Sequence, residues 1–591
     1  MTSTQDQTPF YITTAISYPN GDPHIGHAYE FIAADAMARF KRLDGGDVFF
    51  LTGTDEHGQK MLQTAEKEGI TPRQLAQRNS DVFQEAQDEL GISYDRFIRT
   101  TDVDHLEAAQ AIWKRMEERG DIYLDKYAGW YSVRDEAFYG QDETEVHEDG
   151  VRYSTESETE VTWTEEESYF IRLSAYQEKL LELYRSQPEF GAPHYRFNEV
   201  IRFVEGGLND LSVSRTSFDW GIPVPGNPAH VMYVWVDALT NYLTGVGFPD
   251  TNSASFRKYW PADLHVIGKD ISRFHAIYWP AFLMSAGLEL PRRIMIHGHL
   301  HNNGVKMSKS LGNTVAPADW VENYGLDQTR YFLLREVPFG ADGNYSHDAI
   351  VARMNSDLAN NLGNLAQRSL SMVAKNCGAV VPTPGGFTDA DRALLDDAEA
   401  LLELSRGAYD RQEFSKGLEA VWHVLGDTNA YFAENAPWVL RKTDTARMET
   451  VLYVTLEILR KVALLVQPVM PTAGSQLLDV LGQSGGAART FAAYGSVIEP
   501  GAAFPAPTPH FPTDGEPAAG GIAASQPLDG SWSGRSRRCR GPAGRPPLTA
   551  RGTGSSKLTA DALSVKWGNG LTRIPNPVFE DCHEHPTGNK R

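Results

Sequence analysis

From Phe10 to about residue 118, strand-like runs alternate with helical ones. "FYITTAIS" and "DVFFLTGTDEHG" are followed by "AYEFIAADAMARFKRL" and "ITPRQLAQRNSDVFQEAQDEL". Such a rhythm builds a parallel sheet, because parallel neighbours need a helical crossover between them. It fails between about Arg119 and Pro228, where acidic, aromatic and turn-rich stretches such as "YAGWYSVRDEAFYGQDETE" and "VTWTEEESYF" take over. It returns with "HVMYVWVDALTNYL", "ADLHVIGKDISRFHAIYWPAFLMSAG" and "RRIMIHGHL". The sheet begun in the first segment must then be completed by strands far downstream. The expected fold class is therefore α/β: a split, Rossmann-like parallel sheet with an inserted connective subdomain, followed by an α-helical bundle.

The expected divisions are 1–118 for the first half of the α/β domain, 119–228 for the insertion and 229–345 for the second half, then 346–500 for the bundle and 501–591 for a tail. In the bundle, Ile350, Met354, Leu358, Leu362 and Leu365 recur at helical spacing, as do Leu452, Leu456, Leu459, Ala463 and Val466. The tail is rich in Pro, Gly, Ser and Arg ("FPAPTPHFPTDGEPAAGG", "GRSRRCRGPAGRPP") and reads as disordered, because it offers too little apolar surface to offset ordering entropy.

Composition narrows the function classes. With 591 residues and 41% hydrophobic content the chain suits a multidomain globular protein. Three cysteines, Cys377, Cys539 and Cys582, can build neither a disulfide framework nor a four-thiolate zinc site. A net charge of −22 argues against indiscriminate coating of nucleic acid, while leaving room for a local RNA-binding surface. No run is long and apolar enough to span a bilayer, and "MTSTQDQTPF" has no signal-like region, so the expected location is the cytoplasm with no membrane partner.

Two motifs carry chemistry. In "PNGDPHIGHAYE", Asp22 as N-cap and Pro23 as the first helical residue predict a helix whose unpaired N–H groups attract anions. His24 and His27, three apart, share the face of its first turn and can reach a phosphate chain, while Gly26 lets a flat ring approach the backbone. Alone, this spacing also suits a His-x-x-His metal pair or two surface histidines beside a turn. In "NNGVKMSKSLGN", Lys306 and Lys309 alternate with small hydroxyl residues, Ser310 among them, in a glycine-flanked loop able to close over a polyphosphate. Alone, it also suits an ordinary basic surface loop. Neither a glycine-rich dinucleotide fingerprint nor a Walker A loop is present.

Together, "HIGH" at 24–27 and "KMSKS" at 306–310 resemble the paired signatures of class I aminoacyl-tRNA synthetases. The stretches "TTAISYPNG", "LTGTDEHG", "LSVSRTSFDWGIPVPG", "VWVDALTNY" and "GKDISRFHAIYWPA" resemble the methionyl family within that class, from about Phe10 to Pro471. The resemblance implies catalytic roles for His24, His27, Lys306 and Lys309, and an ATP site made by those four with Gly26 and Ser310. It assigns the methionine side chain to Ala15, Ile16, Tyr18, Trp235, Ala238, Tyr242, Ile271 and His275. Asp55 would take the substrate ammonium, and Arg215 would have a supporting polar role. A soft thioether packs well against aromatic rings, in keeping with that set.

The insertion looks too short for the hydrolytic editing domain that the isoleucine, valine and leucine enzymes need. The cysteine enzyme's thiolate ligands have no counterpart before Cys377. Many methionyl enzymes carry Cys-x-x-Cys zinc knuckles in the insertion; Ser132 and Asp135 stand there instead, so no structural zinc or other metal site is expected. In the bundle, "NNLGNLAQRS" and "ENAPWVLRK" resemble anticodon-reading helices, implying contacts from Asn364, Arg368, Pro437 and Trp438.

The implied activity is ATP-dependent ligation of L-methionine to tRNA(Met), initiator tRNA included, through a methionyl adenylate, with Mg²⁺ accompanying ATP. A monomer is expected. A small-molecule nucleotidylyltransferase would lack "KMSKS" and the bundle, and a tRNA-binding relative without catalysis would not need all four His and Lys residues.

Overall fold

The computed structural model describes residues 7–135, 137–302, 304–306 and 314–504. Its central element is the strand Pro9–Thr14, whose residues from Tyr11 onward are buried on both faces. On one side it pairs in parallel with Asp47–Thr54, and through it with Arg96–Arg99; on the other it pairs with Leu264–Gly268, and through it with Ile294–His297. The six-stranded parallel sheet is completed by a short edge strand, Gly191–Ala192, beside Ile294–His297.

The helix Ile25–Leu43 covers one face with Ile25, Tyr29, Phe31, Ile32 and Phe40. The helices Val103–Glu118 and Val234–Thr244 cover the other through the core that holds Tyr11, Trp113, Tyr242 and Trp279.

Two observations refine the sequence picture. The edge strand Gly191–Ala192 lies within the stretch expected to be inserted, yet it joins the main sheet. A side chain at 191 would collide with the ring of Phe197, which explains a glycine in so short a strand. "HVMY", counted with the returning parallel rhythm, belongs instead to Asn227–Met232, the middle strand of a separate antiparallel sheet between Ser214–Arg215 and Pro223–Val224. The insertion itself is built on the long antiparallel pair Ile122–Ser132 and Thr162–Ile171.

The C-terminal part is helical. His347–Arg353 runs through the wide π-type turns of Met354–Gly363 into Asn364–Asn376. Wide turns suit the repeated four-residue spacing of Ile350, Met354, Leu358 and Leu362, all of which are buried. Asp389–Asp410, Phe414–Asn435 and Thr445–Val466 complete the packing, the last buried along nearly its whole length. Residues 501–504 still pair with the chain near Val381, and the remainder of the expected tail lies outside the described residues. Among the described residues no helix is long and apolar enough to cross a membrane.

One buried ion pair ties the bundle to the helix Ile25–Leu43. Arg330 donates to Asp35 at 2.5 Å, and its other N–H groups reach the carbonyls of Val469, Leu90 and Pro468 at 2.8, 3.2 and 3.0 Å. Burial opposes the charge on Asp35, but Arg330 and Arg39 hold its carboxyl below the usual range. Because both partners are fully buried, removing Arg330 leaves Asp35 with only Arg39 and Ser93 to offset its burial. Arg330→Met alone should cost about 3–5 kcal/mol of stability, read as a lowered denaturation midpoint, and Arg330→Met with Asp35→Leu should recover much of it.

Candidate functional site

Strand order reverses between Pro9–Thr14 and Leu264–Gly268: the chain proceeds outward on one side through 47–54 and 96–99, and on the other through 294–297. In open parallel sheets this is where ligands bind, beyond the carboxyl ends of the strands. The segments leaving those ends are "AISYPNGDPHIGH", "DEHG", "KDIS" and "GHL", so the topology brings most of the expected motifs to one edge.

At the first of these ends, the helix begins at Ile25, and His24 is its N-cap, not Asp22 as the sequence suggests. The physical reason is that two imidazoles do the capping. His24 Nδ1 accepts from the Gly26 N–H at 3.1 Å, and His27 Nδ1 accepts from the His24 N–H at 3.1 Å. The two rings stack at 3.8 Å. With Nδ1 accepting in both, the ring proton of each neutral imidazole sits on Nε2, at the opposite edge of the ring. A Cβ at Gly26 would lie 2.9 Å from His24 Cε1, so the flat ring that Gly26 admits in this structure is the imidazole of His24.

Lys306 lies in the short strand Val305–Lys306, its backbone paired with His301. Lys309 and Ser310 lie outside the described residues.

Of the residues expected around methionine, Ala15 and Ile16 follow the first strand, Trp235, Ala238 and Tyr242 lie on the helix Val234–Thr244, and Ile271 and His275 follow the strand Leu264–Gly268. Ala15, Ile16, Trp235 and Ile271 pack against the core cluster that contains Tyr242. Trp235 stacks face to face on Phe274, at 3.8 Å and 5°. His275 Nδ1–H donates to the Ile271 carbonyl at 3.0 Å, which leaves Nε2 to accept from the Tyr242 hydroxyl at 2.7 Å. Burial pushes the His275 pKa down to about 4 and that of Tyr242 up, so both are neutral and the bond has a fixed direction. Phe274 was not anticipated. Its signal was its place beside His275 in "SRFHAIYW", on π-type turns, Phe274–Tyr278, of the kind that recur at functional sites.

Tyr18 belongs to a separate small cluster with Met61, Ala65 and Leu75, and its hydroxyl accepts from the Met61 N–H at 3.1 Å. Asp55 follows the strand Asp47–Thr54, and its N–H donates to the Ser17 carbonyl at 2.9 Å, which sets it beside "AIS". Arg215 is buried, donating to Ser212 Oγ at 2.8 Å and the Ser214 carbonyl at 2.7 Å beneath the Tyr233 ring. It is anchored in the antiparallel sheet.

Three polar nodes that motif reading missed hold these segments, two of them buried, at Asp237 and Glu30, and one exposed, at Asp342. Asp237 receives His57 Nδ1 on one oxygen and His105 Nε2 on the other, each at 2.7 Å. Burial opposes its charge, yet the two imidazoles keep Asp237 below the ordinary carboxylate range. Glu30 accepts from the Ala15 N–H at 2.9 Å and faces His297 Nε2 at 2.8 Å. Asp342 gathers Lys269, Arg196 and the His299 N–H; against the effect of burial, the Lys269 hydrogen bond leads in lowering its pKa to about 2.

In the insertion, Asp135 is ringed by hydroxyls, and a single carboxylate so engaged, without thiolate or imidazole, does not suit zinc.

On the bundle, Asn364 and Arg368 are exposed on one helix, and the Arg368 guanidinium lies over the rings of Phe432 and Trp438 at 5.0 and 5.3 Å. Trp438 lies in the first turn of a short helix of its own. Phe414–Asn435 stops, Ala436 turns at φ 44°, and buried Pro437 opens the separate helix Pro437–Thr443. Proline lacks the N–H that would continue the first helix but suits the start of a second. The new helix leaves Trp438 41% exposed, which a stacking role requires.

The profile described as "tRNA synthetases class I (M)" matches residues 10–370, and that of the "Anticodon binding domain of methionyl tRNA ligase" matches 381–514. The chain belongs to the methionyl-tRNA synthetase family. It is 64% identical over 508 residues to the methionine–tRNA ligase of Mycobacterium tuberculosis, covering 85% of this chain and 98% of that one. It is 61% identical to that of Brucella suis over 85% and 97%. Among solved structures it resembles the M. tuberculosis methionyl-tRNA synthetase in complex with methionyl-adenylate, with TM-score 0.83, 63% identity and coverage of 85% of this chain and 99% of that one.

The geometry of this methionyl-tRNA synthetase also makes His275 a titration marker. Its folded value of about 4 lies below the unfolded value of about 6.5, so between those pH values only the unfolded chain binds the proton. Stability from this group is full above about pH 6.5 and falls as pH drops toward 4. The unfolding midpoint of the wild type should therefore fall relative to that of His275→Gln as pH is lowered from 7 to 5, with no change in the difference between 7 and 8.

Proposed function

We propose that the chain activates L-methionine with ATP and ligates it to tRNA(Met). The observation that carries this is what the carboxyl ends of one parallel sheet bring together: a polarisable cluster of Trp235, Phe274, Tyr242 and His275, and a helix start whose two imidazoles carry their ring protons on Nε2. The neutral pocket accepts a thioether, while Asp55 takes the ammonium and leaves the methionine carboxylate directed toward ATP. The carboxylate attacks the α-phosphorus, pyrophosphate leaves, and the terminal ribose hydroxyl of tRNA then displaces AMP from the adenylate. No protein nucleophile is needed. His24 and His27 donate through Nε2 to phosphate oxygens, and Lys306 and Lys309 with Ser310 close over the leaving group, so catalysis is positioning and charge stabilisation. Mg²⁺ accompanies ATP and shields its phosphates; no structural zinc is required. Gly26 keeps the helix start open enough for the His24 ring and the nucleotide.

Residues 1–118 and 229–345 form the activating domain around the insertion 119–228, and residues 346–500 read the anticodon through Asn364, Arg368, Pro437 and Trp438. The chain after about Pro517 is dispensable for ligation. The protein acts as a cytoplasmic monomer and charges initiator tRNA as well as elongator tRNA.

Methionine-dependent exchange of pyrophosphate into ATP tests the first step, and charging of tRNA(Met) tests the second. Exchange supported equally by leucine or isoleucine would overturn the specificity. Lys309→Ala should slow adenylate formation by about 10²-fold or more with methionine affinity little changed. Trp438→Ala should weaken productive tRNA use by roughly 5- to 150-fold, the worth of one stacked base, while exchange stays near normal. Equal losses in both assays would place Trp438 in the structural core instead.

A further inference from the structure

A carboxylate in the insertion is wired to the methionine pocket. Asp135 Oδ2 accepts hydrogen bonds from the hydroxyls of Ser132, Tyr139, Ser157 and Thr159 at 3.1, 2.9, 2.5 and 2.5 Å. These donors come from three separate pieces of chain: the end of the strand Ile122–Ser132, the strand Ala137–Tyr139, and the loop after Arg152–Ser154. The Asp135 N–H donates back to Ser132 Oγ at 3.2 Å; the Ser154 N–H donates to the Thr159 carbonyl at 2.8 Å, closing the loop that bears Ser157, and the Glu156 N–H donates to Ser154 Oγ at 3.3 Å.

The residue before Ser157 is Glu156. Its carboxylate accepts from Arg273 Nη1 at 2.9 Å, and the same guanidinium lies over the Phe203 ring at 4.1 Å. Arg273 directly precedes the π-type turns Phe274–Tyr278, whose first ring forms the stack with Trp235 and whose second residue accepts the Tyr242 hydroxyl. One continuous set of contacts therefore runs from the hydroxyl cluster to the wall of the pocket.

We infer that Asp135 is a positioning residue for methionine recognition: by gathering the 154–159 loop it aims Glu156 at Arg273, which fixes the start of the segment that presents Phe274 and His275. The inference rests on the methionine-activating function proposed above. Its energetic scale is modest, because the Glu156–Arg273 pair is partly exposed and such pairs are weak. Its effect belongs to methionine binding and not to the phosphates, which meet a different strand end.

The test is methionine-dependent pyrophosphate exchange, with KM measured separately for methionine and ATP. Asp135→Asn and Glu156→Gln should each raise the methionine KM by about 2- to 10-fold, the range of coupling between groups in one network, leaving kcat and the ATP KM within about twofold. The exchanged pair Glu156→Arg with Arg273→Glu should return the methionine KM toward the wild-type value. Glu156→Gln leaves the hydroxyl cluster intact, so it decides the matter even where Asp135→Asn fails to fold. An unchanged methionine KM in Glu156→Gln, an equal rise in both KM values, or no recovery in the exchanged pair overturns the inference. Absence of methionine-dependent exchange in the wild-type protein overturns the underlying function instead.

Discussion

The parallel pairing of Pro9–Thr14 with Leu264–Gly268 is the contact on which the rest of the molecule depends. It joins residues 252 positions apart, and hydrogen bonds involving side chains reinforce it. The Tyr11 N–H donates to Asp263 at 2.8 Å, the Tyr11 hydroxyl to the Tyr242 carbonyl at 2.7 Å, and Thr13 Oγ1 meets His265 Nδ1 at 2.8 Å. Closing so long a loop is less costly than it looks, since each doubling of loop length adds only about 0.6 kcal/mol. The insertion can be large because the helices that flank it, Val103–Glu118 and Val234–Thr244, are held together. The consequence is chemical: only when the two strands lie side by side do the helix start at His24 and the segment at Ile271–His275 leave the same edge of the sheet.

Around that pairing, charged groups are placed where an unpaired one would be costly. Asp237 draws His57 and His105 from the first half of the sheet domain to a helix of the second, and Glu30 draws together Ala15 and His297. Arg330 joins Asp35, on the helix that begins at the two histidines, to carbonyls at the end of the bundle's most buried helix. In each case three or more segments share one ion or hydrogen-bonded pair. Low-dielectric surroundings make such networks strongly specifying when satisfied and destabilising when broken. These networks join the segments around the candidate site, and one of them reaches the domain expected to read tRNA.

Much of this was legible in the sequence. The strand and helix periods are physical requirements of a two-sided sheet, so the split domain could be read from them, and the buried stripe from Ile350 to Leu365 followed from helical spacing. The histidine–lysine motifs stood out because their residue types are unusual at a helix start and in a glycine-flanked loop. Less visible were features set by tertiary contact. Imidazole capping by His24 replaced the expected Asp22 cap, and the two-residue strand at Gly191 exists only because its neighbours hold it. The break at Ala436 before Pro437 shows a proline overriding an otherwise helical pattern. Phe274, Asp237 and Glu30 sit inside the quoted stretches, but nothing in their local sequence marks a role, which comes from partners far away in the chain.

A crystal structure of the protein with a non-hydrolysable methionyl adenylate analogue tests the central claim most directly, namely that the two halves of the split sheet build one site for methionine and nucleotide. The account predicts the thioether in van der Waals contact with Trp235, Tyr242 and His275, and the phosphate facing Nε2 of His24 or His27 at the start of the helix Ile25–Leu43. An analogue bound away from the carboxyl ends of Pro9–Thr14 and Leu264–Gly268, or histidine rings turned so that Nδ1 meets the phosphate, would contradict it.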